Sequence, residues 1–256
     1  MIVFAYDQTF EGLLSVIFEA FRLKIFPEAL IGPDDNPPLL AERIINVETD
    51  EEKSERVWLG LEKKLSSYGI RHIINAWFTE KPANHELIIR YVKKIYSGIS
   101  ETNFADPDVL ALKQLSFTVG REKEHVLQFV RFQKTIDGWF FAAIRPLFNV
   151  LPLVVHFFVD RFADQRFMIF DLNRAFGLYY DLETLHQTDQ CPPVDYQTGR
   201  LQSDYLAEDE TIYQEAWTKY FESIAITERA NPRLQLSYMP KRFWPMLTEK
   251  QQQFSK

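Results

Sequence analysis

The sequence predicts an α+β protein, with a mainly helical first half and an antiparallel sheet in the second half in strand–strand–helix–strand–strand order. Three observations lead there. Residues 49–128 place apolar side chains at three- and four-residue steps, the period of a half-buried helix. Around Asp137-Gly138 the pattern becomes an alternation between aromatic runs, a strong hairpin signal. Asn173-Arg174 marks a second turn between two aromatic strands, and an apolar helical stretch separates the two hairpins.

Taken in order, "IVFAY" at 2–6 reads as a short buried strand. Asp7 or Thr9 caps the helix that follows, where Phe10, Leu13, Leu14, Ile17, Phe18 and Phe21 form one apolar face. "IGPDDNPP" at 31–38 is a turn-rich loop, and "ERIINVET" at 42–49 a second strand. Thr49 or Asp50 caps the next helix, whose first turn is acidic and whose last turn carries Lys63 and Lys64, an order that suits the helix dipole. Helical patterns continue through 71–78, 84–99 and 106–129, the last with Asp106 as cap and Pro107 at the first helical position. Strands then flank Asp137-Gly138, a helix from about 149 to 163 is apolar on nearly every side and therefore central, and the second hairpin covers 166–181. Residues 183–207 read as a polar loop, and "EDETIYQEAWTKYFESI" as an amphipathic helix.

With 256 residues, 46% hydrophobic and 25% charged, the chain has an ordinary globular composition. One compact unit is expected, built from a strand–helix–strand start (1–48), a helical segment (49–128), the sheet with its central helix (129–182) and C-terminal helices with a basic, aromatic segment (207–247). The 22 Phe read first as a Phe-rich core. A single cysteine, Cys191, excludes an internal disulfide and any multi-cysteine metal site within one chain, and fits a reducing cytoplasm. It stands in the proline-rich "DQCPPVD" and reads as a loop thiol rather than a nucleophile. The start lacks a basic n-region, and the most apolar run, 146–159, is interrupted and shorter than the roughly 20 residues of a membrane span. A soluble, cytoplasmic protein without a membrane partner is the expectation.

The chemistry-bearing motifs are few. Neither GxGxxG nor GxxxxGK[ST] occurs, nor HExxH, nor GxSxG. The five histidines are scattered, and His156, on the apolar helix, reads as a core histidine. No metal and no cofactor are expected. Asp7, Asp171 and Asp181 each end a strand, where a rigid sheet aims a side chain at open loops. Brought together, such acids could act as an acid/base pair or hold Mg²⁺; apart, they are residues that start turns and cap helices. Arg131, Lys134, Arg145, Arg161, Arg166 and Arg174 bracket the sheet, and Arg131 either lies on an exposed sheet face or pairs with a local acid.

Charge is unevenly placed. From Arg229 to the C-terminus six bases face Glu249 alone, a net of +5, which leaves -12 on the preceding 228 residues. "NPRLQLSYMPKRFW" at 231–244 concentrates this: Arg233, Lys241 and Arg242 among Tyr238, Phe243 and Trp244, with no acid. Bases neutralise phosphates and exposed aromatics offer nucleobases a stacking face. The bland reading docks the basic end on the acidic body. Combining them, Phe243 and Trp244 anchor while Arg233, Lys241 and Arg242 face outward, with Tyr238 and Arg131 as further nucleic-acid contacts.

The ordered motifs "YDQTFEGL" (6–13), "FVRF" (129–132), "HFFVDRF" (156–162), "FMIFD" (167–171) and the 231–244 segment resemble a bacterial family of unknown function described as "probable DNA metabolism protein". That pattern carries glycine where this chain has Gln8, and often tryptophan where it has Phe167. The resemblance implies a partner of a radical SAM protein of DNA modification or repair, and a relation to domains fused to uracil-DNA-glycosylase-like domains. It implies no catalytic residues. The radical SAM cluster needs three cysteines, so it would belong to the partner. The expected function is therefore an accessory protein of DNA metabolism that binds DNA, the radical SAM protein or both. The alternatives are a glycosylase-like or nuclease-like enzyme using Asp7, Asp171 or Asp181, and a protein adaptor without DNA contact.

Overall fold

Ile2–Ala5 form the first strand, β1, since a short β-branched and aromatic run buries both faces most readily inside a sheet. β2 (Ala29–Ile31) and β3 (Arg43–Asn46) pair on either side of it, both parallel, in the order β2-β1-β3. The structure is a computed structural model that describes residues 1–225 and 231–251 and divides into two compact units, Met1–Gly120 and Arg121–Lys256.

In the N-terminal unit, α1 (Phe10–Leu23) is capped by Thr9, whose hydroxyl accepts from the Gly12 N–H at 2.9 Å. It ends at Lys24 in the left-handed region, φ 57. Leu13, Leu14, Val16, Ile17 and Ala20 are buried with Phe4 and Leu30 in one core. Gln8 also lies in the left-handed region, φ 61, a conformation that glycine adopts without strain. α2 (Glu51–Lys64) is capped by Asp50, and α3 (Ser67–Trp77) and α4 (Pro82–Tyr96) complete the same core with Leu61, Ile73, Ile88 and Tyr91. Asp106 caps α5 (Pro107–Phe129), accepting from the Asp108 and Val109 N–H groups at 3.0 and 3.3 Å. β2 was absent from the sequence reading because three residues carry too little periodicity to register.

The C-terminal unit holds a five-stranded sheet in the order β4-β5-β6-β7-β8. β4 (Gln133–Lys134) and β5 (Phe140–Ile144) form the expected hairpin around Gly138, φ 82. β6 (Phe167–Asp171) and β7 (Phe176–Tyr180) form the second hairpin. The sheet is mixed and mostly antiparallel, because β5 and β6 pair in parallel, Phe140 opposite Phe167 and Ile144 opposite Asp171. A helix between neighbouring strands returns the chain to the end it started from, so the crossover through α6 (Leu151–Arg161) makes that pair parallel.

α6 is not buried all round. Leu151, Val154, Val155 and Phe158 are buried, whereas His156 and Phe157 are exposed, so His156 is a surface histidine and not a core one. An eleven-residue helix on one sheet face needs a single apolar stripe, and the excess apolar residues of this segment stand outside it.

Residues 183–207 are more ordered than a loop. β8 (Leu185–Thr188) extends the sheet, and bridges join Val194 to Leu201 and Thr135 to Leu206. The segment covers one sheet face, where Val194 and Leu201 pack on Phe141, Ala143, Met168 and Phe170. Buried Gln133 ties it down, donating to the Gly199 carbonyl at 2.9 Å and accepting from the Leu201 N–H at 3.0 Å. At Gly199, φ 68, a Cβ would stand 2.8 Å from that of Ala143, so glycine is required there. α7 (Glu210–Ser223), α8 (Pro232–Tyr238) and a short 3-10 helix at Lys241–Met246 complete the described chain.

Candidate functional site

The three strand-end acids are built into turns. In the N-terminal unit, Asp7 accepts from the Thr9 N–H (3.0 Å), the Thr9 hydroxyl (2.7 Å) and the Thr49 hydroxyl (2.6 Å). Partial burial works to raise its pKa, but the hydrogen bonds from Thr49 and Thr9 prevail and hold it below the usual carboxylate range. Gly12 makes the approach possible, since a Cβ there would stand 2.1 Å from Asp7 Oδ1.

In the C-terminal unit, Asp171 is fully buried and pairs with Arg174 Nη1 at 2.9 Å, while its other oxygen accepts from the Asn173 and Arg174 N–H groups. Burial outweighs these partners and raises its pKa. Asp181 is half-buried and closes the β7–β8 turn through the N–H groups of Glu183 (2.9 Å) and Thr184 (2.7 Å), with His186 Nε2 at 2.7 Å. Those hydrogen bonds hold it far below the ordinary carboxylate value.

Asp171 and Asp181 do not meet. Asp171 lies opposite Phe176, whereas Asp181 follows Tyr180, opposite Phe167, at the other end of the hairpin. At about 3.3 Å per residue, that places them of order 15 Å apart. Among the described residues no group of three or more His, Cys, Asp and Glu is arranged to hold a metal ion. Cys191 is half-buried, and burial pushes its thiol up to about 11, which keeps it a poor nucleophile.

The basic segment divides by role. Arg233 and Tyr238 lie on exposed α8, Lys241 is exposed, and among the described residues neither Arg233 nor Lys241 has an ion-pair partner. Arg242 turns inward instead: both its terminal nitrogens bond the carboxylate of Glu122, which is 2% exposed and also accepts from the Leu147 N–H. A buried carboxylate is costly unless paired, so Arg242 serves the core and does not face outward as the sequence suggested. Arg131 has the same role for buried Glu249, at 2.7 and 3.2 Å. Phe243 anchors as expected, packing on Phe129 and Leu247, and the Trp244 indole N–H donates to the Met239 carbonyl. Arg229 and Lys256, which contribute to the basic end, lie outside the described residues.

The C-terminal unit also holds a cavity of about 770 Å³ that no sequence motif marks. One wall is Phe132, Phe162 and Phe167, whose rings meet edge to face at 5.5 and 5.8 Å. The other is α7, contributing Tyr213, Trp217 and Tyr220. Trp217 is fixed by donating to Glu249 at 2.9 Å, with the Arg131 guanidinium 5.5 Å from its ring. Polar groups enter at Gln165, Glu210 and Gln214. Glu210 is buried and accepts from the Lys134 N–H at 3.0 Å and from Gln214 Nε2 at 2.9 Å. These residues are up to 88 positions apart, from Phe132 to Tyr220, and only the Phe excess hinted at them.

The model of a domain of unknown function, DUF4130, matches residues 82–249. No significant match to a curated protein or to a solved structure is found.

Proposed function

Since the chain belongs to the DUF4130 family, we propose that it is an accessory protein of DNA metabolism that binds DNA and works beside a radical SAM partner. The observation that carries this reading is the exposed set Arg233, Tyr238 and Lys241, two cations without ion-pair partners among the described residues and one aromatic ring, in a stretch whose next acid is Glu249. Such a surface can neutralise phosphates and stack on bases. The partner is supported by the resemblance of the ordered motifs, and one cysteine cannot hold a radical SAM cluster, which leaves that cluster to the partner.

An enzyme built on the strand-end acids is less well supported. Asp171 and Asp181 stand at opposite ends of one hairpin, and each is occupied by its own turn. The test is a titration of labelled single-stranded DNA at several salt concentrations. The wild type should bind with a steep salt dependence, and Arg233→Glu/Lys241→Glu should flatten the log–log slope by about 1.4, the loss of two phosphate contacts on a single strand. Salt-independent binding, or a variant identical to wild type, would remove this reading and leave the adaptor.

A further inference from the structure

We propose that the cavity of the C-terminal unit takes a planar heteroaromatic ring, the base of an unpaired nucleotide; this rests on the DNA-binding reading and names what that reading would hold.

The volume, about 770 Å³, lies within the range of small-molecule sites and has room for a base with its sugar. The walls are aromatic and pre-set. Phe132 meets Phe162 and Phe167 edge to face, and Trp217 is oriented by Glu249 and Arg131. Opposite them Tyr213 and Tyr220 are exposed, 63% and 55%, so the α7 side is open to a ligand. A flat ring between such walls is stacked rather than merely enclosed.

The polar groups narrow the chemistry. The Gln165 side-chain amide forms no hydrogen bond with another described residue, so it offers both a donor and an acceptor. Gln214 gives an N–H to Glu210, and its carbonyl oxygen is an acceptor. A purely apolar ligand would strand these amides. An anionic ligand would meet buried Glu210, and the cations beside it are committed, Arg131 to Glu249 and Lys134 to Asp209 at 2.9 Å. A neutral ring with in-plane donors and acceptors satisfies both conditions.

Phosphates would stay outside. Exposed Arg161 and Arg166 directly precede the wall residues Phe162 and Phe167, although exposed Asp160 and Asp164 share that turn. Two bases against two acids leave this rim without net charge, so ring contacts rather than phosphates must carry affinity at this site.

The experiment compares a labelled single strand with a ring-free abasic strand of equal length, and tests free deoxyadenosine by quenching of tryptophan emission against a Trp217→Phe control. Tyr213→Ala removes a wall; Ala216→Trp, at an exposed lining position, fills the cavity without touching the core. The proposal predicts that the intact strand binds at least tenfold more tightly than the abasic one. Each variant should cost the intact strand about tenfold, the scale of one stacked base, and leave the abasic strand unchanged. Strands that bind alike, with variants that change nothing, overturn the cavity site while DNA binding stands. Deoxyadenosine binding lost in Ala216→Trp, with no strand bound, keeps the ring site with a free nucleoside as its ligand and overturns the DNA reading. Binding of neither strand nor nucleoside overturns both.

Discussion

Arg242 closes a two-pronged ion pair with buried Glu122, whereas Lys241, one residue earlier, stands in solvent. The two substitutions should therefore separate. Arg242→Ala leaves a buried carboxylate uncompensated and should cost about 3–5 kcal/mol by denaturant unfolding, while Lys241→Ala should stay within about 0.5 kcal/mol. Arg131→Ala tests the parallel pair through pH. Burial works to raise the Glu249 carboxyl, but Arg131 and Trp217 prevail and lower it. Its stabilisation is thus present above the unfolded value, near ~4.3, and lost as pH falls through the lower folded value. Arg131→Ala should lower stability at neutral pH and blunt that acid-side loss; an unchanged pH profile would contradict the pairing. The segment 231–244 was legible as basic and aromatic, and Phe243 as an anchor. That Arg242 points inward was not legible, because its partner lies 120 positions away and nothing local distinguishes it from Lys241.

Secondary elements show the same division between local and distant causes. The hairpins at Asp137-Gly138 and Asn173-Arg174 were legible because turn chemistry is local, although the second turn is a four-residue loop whose left-handed residue is Ala175, φ 54. For the same reason the cap Asp106 was legible outright, and Thr9 and Asp50 each as one of two candidates. β2 and β8, of three and four residues, were not, and the parallel β5–β6 pair follows from the crossover helix rather than from either strand's sequence. β6 and α7 differ sharply in burial: all five residues of β6 are buried, and only Glu210 of α7 is. Amides in α7 should therefore exchange with solvent by local opening, orders of magnitude faster than those of β6, and exchange read by mass spectrometry checks this. Equal protection would mean that α7 is held by contacts beyond its own burial. A helix that opens locally suits a cavity whose second wall it forms.

At the scale of the whole molecule, an acidic chain carries its positive charge in two states. Arg131, Lys134 and Arg242 neutralise carboxylates within the C-terminal unit, and Arg233 and Lys241 are exposed without ion-pair partners among the described residues. The fold class could be read in the sequence from periodicity and turn chemistry. The cavity could not, because its walls come from a strand edge, a helix end and α7, and each Phe taken singly looks like core. No helix of the described residues is long and apolar enough to cross a membrane. The central claim, that the exposed C-terminal cations meet nucleic acid, is tested most directly by acetylation footprinting of lysines with and without saturating single-stranded DNA. The account predicts several-fold protection of Lys241, with exposed Lys63 on α2 unchanged. Equal labelling of Lys241 in the two states, at a DNA concentration where binding is saturated, would contradict it.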